Sequence, residues 1–267
     1  MSEGAKGRVK TKMPYNCIKL EGSGAVVMLT LNRPEVMNAL NKDVVLELQD
    51  ALGSLSTDKD IKVVVFQGAG GNFCSGADRT LFMEDHPSPE WLDGLRQFAR
   101  VVRLLREIPQ PIITKLRGVA VGAGSNLALA GDFVVAAHDA LLMENFVHIG
   151  AILDSGGTYF LPRLVGLVKA RQLAFLGEEI DGKKAASMGL IYKSVPDEDL
   201  DKETMSLANK LAQKSLSSMS LIKEGLDESF NKTIKEILEW EASHQAIMLR
   251  TKEHKDIVQF LKSMKKD

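Results

Sequence analysis

Cysteine is scarce in this chain, and histidine is scattered. Cys17 and Cys74 are the two cysteines among 267 residues, which is too few for a disulfide framework. Neither they nor the five histidines show the spacing of metal ligands. The composition therefore favours a reduced, cytoplasmic protein and predicts no metal site.

An excess of charge of either sign is also missing. The 34 Lys and Arg residues nearly balance the 35 Asp and Glu residues, and the net charge is -1. A balanced chain has no overall electrostatic attraction to nucleic acid or to an anionic membrane. We therefore expect neither as a major partner, although a local basic patch is compatible with this balance.

Long apolar runs are absent as well. The most apolar stretch, residues 118–137, contains Asn126, Asp132 and four glycines, which suits a buried core better than a membrane span. The basic N-terminal segment is not followed by the apolar region of a signal peptide. We predict a disordered arm over residues 1–13 and no membrane segment.

Three widespread motifs of nucleotide binding or catalysis are missing too. Gly71 and Gly76 have the spacing of a phosphate-binding loop. However, Ala77 and Asp78 follow where such a loop requires Lys and Ser or Thr. No GxGxxG motif follows a predicted strand, and no serine lies within GxSxG. The sequence thus gives no support to a phosphate-loop protein, a dinucleotide fold or a serine hydrolase.

What the chain does contain is an alternation of short apolar runs and helical patterns. The runs predict strands buried on both faces, usually in a parallel sheet, and cover residues 26–31, 63–66, 112–116 and 133–137. Two patterns between them predict helices, one capped by Asn41 and one carrying Trp91 and Phe98. After Pro196 the pattern is helical throughout, with helices expected near residues 199–214, 216–228, 232–249 and 251–265. An α/β core over residues 14–196 and a helical region over residues 197–267 follow from this change.

Two glycine-rich segments are suited to holding a ligand through their backbone. Residues 68–78 and 117–126 each follow a predicted strand and precede a predicted helix. Small residues allow close approach to the main chain, and helix N-termini offer unpaired N–H donors. Two such donors aimed at one point would form an oxyanion hole. On composition alone, two tight turns whose glycines serve packing are favoured by roughly two to one.

One acidic residue is isolated in an apolar segment. Asp154 is the only acid between Glu144 and Glu178. A carboxylate in an apolar pocket has a raised pKa, as a general base near neutral pH requires. The same residue could instead cap a helix over residues 156–164, a role for which Asp is well suited. The residues themselves leave both roles open.

Four motifs in order along the chain resemble the crotonase superfamily, also called the enoyl-CoA hydratase/isomerase family. They are LNRPEVMNAL (31–40), GGNFCSGAD (70–78), GVAVGAGSNLALAGD (118–132) and IGAILDSGGTYFLPRLVG (149–166). The likeness covers about residues 14–265, and the last motif is most similar to the phenylacetate-pathway epoxyenoyl-CoA isomerase subgroup. The resemblance implies an α/β fold, a spiral of repeated ββα units with a helical C-terminal region for trimerisation. It also implies homotrimers, often paired into hexamers.

The resemblance further implies an acyl-CoA thioester as the substrate. No separate cofactor is expected, because coenzyme A enters as part of that substrate. The two N–H groups of the oxyanion hole would belong to Ala77 and Ala123, and residues 77–80 would lie along the pantetheine and adenine. The residues expected to bind the substrate are Ser75, Gly76, Ala77, Asp78, Arg79, Thr80, Ala123, Gly124, Asn126 and Phe146.

The catalytic acids depart from those of the family's hydratases. Hydratases use two glutamates, whose positions fall at Asn126 and Phe146 in this chain. Glu144 would replace the second glutamate only if its loop were shifted. Asp154 stands where isomerases of the family commonly carry an acid. The resemblance therefore favours an isomerase with Asp154 as the single base, acting on a 3-enoyl-CoA or on an epoxidised phenylacetyl-CoA.

Three alternatives stay open at this point. The first is a hydratase that uses Asp154 or Glu144 alone, and the second is a relative that uses Asp154 as a nucleophile. The third is a catalytically silent protein that binds acyl-CoA or RNA, although the neutral net charge argues against RNA. A late group of lysines is expected to form a solvated helix face or to contact CoA phosphates, within one subunit or across a subunit boundary: Lys252, Lys255, Lys262, Lys265 and Lys266.

Overall fold

A computed structural model of the chain describes residues 15–83 and 87–264. The strands in this part of the chain are β1 (Ile18–Ser23), β2 (Val26–Leu31), β3 (Val63–Gly68), β4 (Ile112–Leu116), β5 (Val119–Val121), β6 (Phe133–Ala137), β7 (Leu141–Met143), β8 (Glu179–Asp181) and β9 (Lys193–Val195). The α-helices are α1 (Lys42–Thr57), α2 (Ser88–Glu107), α3 (Ala123–Leu129), α4 (Gly157–Leu176), α5 (Gly182–Ser187), α6 (Asp197–Ala212), α7 (Leu216–Glu228), α8 (Ile234–Met248) and α9 (Lys252–Met264). The predicted arm over residues 1–13 lies outside the described residues, as do Lys265 and Lys266.

A six-stranded sheet forms the centre of the fold. Its strand order is β1-β2-β3-β4-β6-β9, in which β1 and β2 are antiparallel and the remaining neighbours are parallel. The four predicted apolar runs are β2, β3, β4 and β6, and they lie next to one another in this sheet. Val63 to Phe66 of β3 are 0% exposed. The prediction of buried, parallel strands is therefore confirmed.

A second sheet of three strands has the order β5-β7-β8. Strand β5 pairs parallel with β7, and β7 pairs antiparallel with β8. Each of these strands has three residues, which is too short to show a hydrophobic period, so the sequence pattern does not predict them. This sheet brings the second glycine-rich segment next to the end of β7, which directly precedes Glu144.

Helix α1 follows β1 and β2 in the chain and leads to β3. As predicted, the Asn41 side chain caps the helix by accepting a hydrogen bond from the backbone N–H of Val44 at 3.0 Å. Further along the helix, Glu47 is 5% exposed. Its carboxylate accepts three backbone hydrogen bonds at 2.8 to 3.0 Å, from Asn16, Cys17 and Ile18. These bonds join α1 to the entrance of β1.

The chain is helical after β9, as the sequence predicts. Helix α6 packs against the sheet through Leu200 and Ala208, which are 0% exposed, whereas α7 and α8 have no buried residue. Their exposed apolar side chains include Ile222, Leu226, Ile234 and Leu238. The expectation that these stripes pack against another subunit stays a prediction.

Candidate active site

The two glycine-rich segments lie side by side. The N–H of Cys74 donates to the carbonyl of Val119 at 3.0 Å, and the N–H of Val121 donates back to the carbonyl of Cys74 at 3.0 Å. Gly124 passes so close to the first segment that an added Cβ would lie 2.4 Å from the Cys74 carbonyl oxygen. The close approach of the two backbones therefore requires a residue without a side chain at Gly124.

Ala77 and Ala123 each lie near the end of their glycine-rich segment, where the chain enters a helix. Ala77 forms an isolated parallel bridge with Leu40. That bridge uses the carbonyl of Gly76 and the N–H of Asp78, and therefore leaves the N–H of Ala77 out of it. Ala123 is the first residue of α3, where an N–H has no acceptor within the helix. A Cβ added at Gly76, the residue before Ala77, would lie 3.8 Å from the nitrogen of Ala123. The assignment of the oxyanion hole to the N–H groups of Ala77 and Ala123 stays a prediction.

The segment after Ala77 is held by the protein itself. A guanidinium N–H of Arg33 donates to Asp78 at 2.8 Å, and Asp78 also accepts from the N–H and hydroxyl of Thr80 at 3.1 and 2.9 Å. Burial favours a raised pKa for Asp78, but the hydrogen bonds from Arg33 and Thr80 outweigh it and hold that pKa below its usual range. Arg79 is exposed, and the hydroxyl of Ser75 donates to the carbonyl of Val36 at 3.2 Å. Arg33 was not among the sequence-predicted site residues, although it lies within the motif LNRPEVMNAL.

Asp154 lies on the wall of a cavity of about 280 Å³. The other lining residues are Leu95, Arg96, Phe98, Ala99 and Ser155. Burial raises the pKa of Asp154, and a hydrogen bond of 2.5 Å from the Ser155 hydroxyl opposes this increase. Of the two aromatic residues on the predicted second helix, Phe98 lines the cavity, whereas Trp91 stacks on Phe82 with a centroid distance of 5.7 Å. Sequence reasoning missed Leu95 and Ala99, which lie on the same helix as Phe98.

The helix after Asp154 is not capped by its carboxylate. Helix α4 begins at Gly157, and its N-cap is Gly156 without a side-chain hydrogen bond. Asp154 contacts this helix through its backbone carbonyl, which accepts from the N–H of Gly157 at 2.9 Å. The two residues between them have left-handed backbones, with φ of +54° at Ser155 and +89° at Gly156. The helix-cap hypothesis is therefore wrong, and Asp154 lines the cavity instead.

Helix α3 links the second glycine-rich segment to Asp154. Its residue Asn126 is 0% exposed. The side-chain amide of Asn126 donates to the backbone carbonyl of Asp154 at 3.0 Å and to Glu144 at 3.2 Å. From the sequence alone, Glu144 has two possible roles, as a replacement for the second glutamate of the hydratases if its loop were shifted, or as the single acid of a hydratase. The structure places its carboxylate in contact with Asn126.

Glu144 is a buried acid with an unusual protonation equilibrium. Burial raises its pKa to about 7, hydrogen bonds from Ser125 and Asn126 oppose the increase, and the charge of Asp154 adds to it. Its side chain is 4% exposed, and one carboxylate oxygen has no hydrogen-bond partner among the described residues. Glu144, which exchanges a proton near neutral pH, is therefore linked to Asp154 through the side chain of Asn126.

The comparisons with known proteins identify the family. The family model described as "Enoyl-CoA hydratase/isomerase" matches residues 21–266. The chain belongs to the enoyl-CoA hydratase/isomerase family. The family assignment made from the four motifs is thus confirmed.

Relatives within this family are named either isomerases or hydratases. The 1,2-epoxyphenylacetyl-CoA isomerase of Escherichia coli K12 is 35% identical over 234 residues, covering 86% of this chain and 89% of the relative. The crotonyl-CoA hydratase of Syntrophomonas wolfei is 32% identical over 245 residues, covering 91% of this chain and 94% of the relative. A solved enoyl-CoA hydratase from Bacillus anthracis superposes with a TM-score of 0.89 at 28% identity, covering 93% of this chain and 97% of that one. The crotonase fold is confirmed by this superposition.

Asn126 and Phe146, which the resemblance predicts at the positions of the hydratases' two glutamates, have no acidic side chain. Asn126 is occupied with the two hydrogen bonds described above. Phe146 is 6% exposed and lies beside the start of α3, where an added Cβ at Gly122 would be 3.7 Å from its ring. His148 forms a hydrogen bond with the carbonyl of Gly177 at 3.0 Å, at the C-terminal end of α4. His148 is thus engaged in packing rather than at Asp154.

Other expectations concern features away from this site. Within residues 15–83 and 87–264, no three His, Cys, Asp or Glu side chains are arranged to hold a metal ion. No helix in that part of the chain combines the length and apolar character needed to cross a membrane. Lys252 on α9 is exposed and pairs with Asp256 at 2.6 Å, as in a solvated helix face.

Proposed function

We propose that this member of the family is an acyl-CoA isomerase whose base is Asp154. The observation that carries the proposal is the position of the Asp154 carboxylate, which lies at a mostly apolar cavity with a raised pKa. The carboxylate does not cap the helix that follows it. A raised pKa brings a carboxylate closer to the range in which a base is effective at neutral pH.

The proposed reaction moves one proton within the substrate. Asp154 removes a proton from C2 of a 3-enoyl-CoA, and the electrons of the broken C–H bond form a dienolate. The same carboxyl group returns the proton to C4, so the double bond moves from C3=C4 to C2=C3. The N–H groups of Ala77 and Ala123 would hold the thioester oxygen, on which the negative charge develops. No atom is gained or lost, and one acid is sufficient.

A ring-bearing acyl group is the first substrate to test. Besides Arg96 and Ser155, the cavity beside Asp154 is lined by Phe98, Leu95 and Ala99, and these three suit an apolar or aromatic acyl group. The Escherichia coli relative is named a 1,2-epoxyphenylacetyl-CoA isomerase. We therefore place rearrangement of an epoxidised phenylacetyl-CoA before the shift of a linear 3-enoyl-CoA in the order of assays.

Hydration is the second candidate reaction. Burial raises the pKa of Glu144 to about 7 and the charge of Asp154 adds to the increase, so the two acids interact. Two acids are what addition of water requires, one to activate the water and one to protonate the α-carbon. A relative of similar coverage is named a crotonyl-CoA hydratase. In the structure, however, Glu144 is 4% exposed and contacts Asn126, which favours a supporting role.

The binding of coenzyme A and the assembly are also part of this proposal. The segment over residues 77–80, in which Asp78 is bonded to Arg33 and Thr80, would lie along the pantetheine and adenine. The exposed apolar faces of α7 and α8 would pack in a homotrimer or hexamer. A sedimentation experiment at several protein concentrations measures the assembly directly.

Mass spectrometry of the products separates the candidate reactions. The purified protein is incubated with 2-enoyl-, 3-enoyl- and aromatic acyl-CoA thioesters, including an epoxidised phenylacetyl-CoA. A new isomer of unchanged mass supports the isomerase, and a mass gain of one water supports the hydratase. If the protein converts none of these thioesters and binds RNA tightly, with an affinity that falls steeply with salt, both enzymatic proposals are wrong and the protein is a catalytically silent binding protein.

A further inference from the structure

The buried acid Glu144 has no part in the proposed proton transfer, and its surroundings are unusual. It directly follows β7 and precedes the 3-10 helix Asn145–Ile149. Its side chain is 4% exposed, and one of its oxygens lacks a hydrogen-bond partner among the described residues. A buried polar atom without a partner is costly, so a chain that keeps one there needs a reason for it.

The second oxygen of Glu144 determines how the side-chain amide of Asn126 is oriented. A carboxylate can only accept hydrogen bonds, so it selects the NH₂ end of that amide. The amide nitrogen has two hydrogens, one donated to Glu144 at 3.2 Å and one to the backbone carbonyl of Asp154 at 3.0 Å. The amide oxygen of Asn126 is buried without a partner among the described residues. The rotated amide would place that oxygen against two acceptors, so Glu144 excludes it.

The loop that Asn126 holds contains the proposed base and a strained backbone. Ser155, next to Asp154, has φ of +54°, which is uncommon for a residue with a side chain. Such conformations persist where surrounding contacts enforce them. The carbonyl of Asp154 receives one bond from Asn126 and one from the N–H of Gly157. These two bonds fix the point from which the Asp154 side chain extends to the cavity.

We propose that Glu144 is a positioning residue, which orients the amide of Asn126 so that Asn126 holds the backbone of Asp154 with its carboxylate at the cavity. The proposal rests on the proposed function, in which Asp154 is the base. It assigns to Glu144 no contact with the substrate. A shift of the base by about 1 Å is enough to lower a rate by about a hundredfold.

The protonation of Glu144 makes this role measurable. Its pKa is raised to about 7, so Glu144 changes from a neutral acid to a carboxylate across neutral pH. Among the described residues, the charged group that acts on it is Asp154 across the loop, while Ser125 and Asn126 face it from α3. The ionised form accepts the Asn126 hydrogen bond more strongly, and its charge makes Asp154 a stronger base. Both effects raise kcat as the pH increases through about 7.

Two variants of Glu144 and one matched control test the proposal. Glu144→Gln keeps the size and one acceptor oxygen but cannot ionise, and Glu144→Leu removes the acceptor. Glu47→Gln is the control, because Glu47 is equally buried but is bonded to the backbone before β1. We expect Glu144→Leu to lower kcat about 10- to 100-fold with KM nearly unchanged. We expect Glu144→Gln to lose the increase in kcat near pH 7, and Glu47→Gln to retain it.

The opposite results would overturn the positioning role. Wild-type kcat in Glu144→Leu would do so, and so would a Glu144→Gln profile that still rises near pH 7. If Glu144→Leu does not fold, the pH profile of Glu144→Gln decides by itself, because the substitution preserves shape.

A measurement without turnover separates this proposal from the proposed function. The side-chain NH₂ resonances of Asn126 are followed by NMR as the pH is varied. They should shift with a midpoint near the Glu144 pKa of about 7 in the wild type, and this shift should be absent in Glu144→Gln. A wild-type protein that shows the shift but isomerises no acyl-CoA would disprove the isomerase and leave the Glu144–Asn126 contact intact. Resonances of Asn126 that do not respond to pH would disprove the contact itself.

Discussion

Two glutamates are buried to nearly the same extent in this protein, and they differ in what surrounds them. Glu47 is 5% exposed and Glu144 is 4% exposed. Both oxygens of Glu47 accept hydrogen bonds, three in total, from backbone N–H groups at the entrance of β1. Glu144 accepts hydrogen bonds from the side chains of Ser125 and Asn126, and one of its oxygens has no partner among the described residues.

The difference in hydrogen-bond partners indicates that Glu47 is a structural acid and that Glu144 is linked to the proposed catalysis. Backbone N–H groups satisfy a carboxylate permanently, because they cannot change their protonation. Glu144 instead depends on side chains that lie next to the proposed base, and its pKa is raised to about 7. Changes around α1 should therefore affect mainly the free energy of unfolding, and changes around α3 and Asp154 should affect mainly the rate.

The largest effect is expected at Asp154. Asp154→Asn keeps the shape of the side chain but cannot take a proton, so kcat for isomerisation should fall by about 10²- to 10⁴-fold. The free energy of unfolding should change by about 1 kcal/mol or less, because the carboxylate does not cap α4. Steady-state kinetics and thermal unfolding measure the two quantities. Retained kcat with a large loss of stability would place Asp154 with Glu47 among the structural acids.

The next largest effect is expected at the proposed oxyanion hole. Ala123→Pro removes the N–H, and the first position of a helix tolerates proline. The variant should stay folded while kcat falls by about 10²- to 10³-fold, the usual effect of losing one such donor. Ala123→Gly retains the N–H and serves as the control in the same assay. Near wild-type turnover by folded Ala123→Pro would remove this N–H from the mechanism.

Glu47 should show the reverse behaviour. Glu47→Gln places an amide NH₂ against backbone N–H groups that now donate to a carboxylate. Losing a hydrogen bond to a charged group lowers the free energy of unfolding by about 2 kcal/mol, whereas kcat should stay within about twofold because the site is elsewhere. Urea unfolding and kinetics on the same sample measure both. A lower kcat at unchanged stability would erase the contrast between the two glutamates.

The smallest effect is expected at Ser155. Its hydroxyl donates to Asp154 and thereby lowers the pKa of that group. Ser155→Gly removes the hydroxyl and also suits the left-handed backbone at φ of +54°. The pKa of Asp154 should increase, so the ionised base should be lost at a higher pH as the pH falls. The acid limb of the kcat profile should move to higher pH, and a shift in the other direction would contradict the assigned hydrogen bond.

Much of the fold could be predicted because it depends on local patterns. The apolar runs of β2, β3, β4 and β6 are strong enough to identify a buried parallel sheet, and the Asn41 cap follows from one residue and its position. The strands β5, β7 and β8 could not be predicted, since three residues carry no period. These short strands nevertheless determine where α3 and Glu144 lie.

The candidate site divides in the same way. Its small residues and its isolated acid can be recognised in the sequence, because glycines and a lone Asp in an apolar segment are local features. The choice between a helix cap and a base at Asp154 could not be made from them. The left-handed backbone at Ser155 and Gly156 and the start of α4 without a side-chain cap became visible only in the structure.

The sequence by itself determined the family, the central strands, the helical C-terminal region and the identity of the lone acid, because motifs and hydrophobic periods depend on residues close together in the chain. Only the tertiary structure decided that Glu144, Asn126 and Asp154 form one connected group. Asn126 is 18 residues from Glu144 and 28 residues from Asp154 along the chain. Contacts over such separations depend on how β5, β7 and α3 pack. No local sequence pattern predicts that packing.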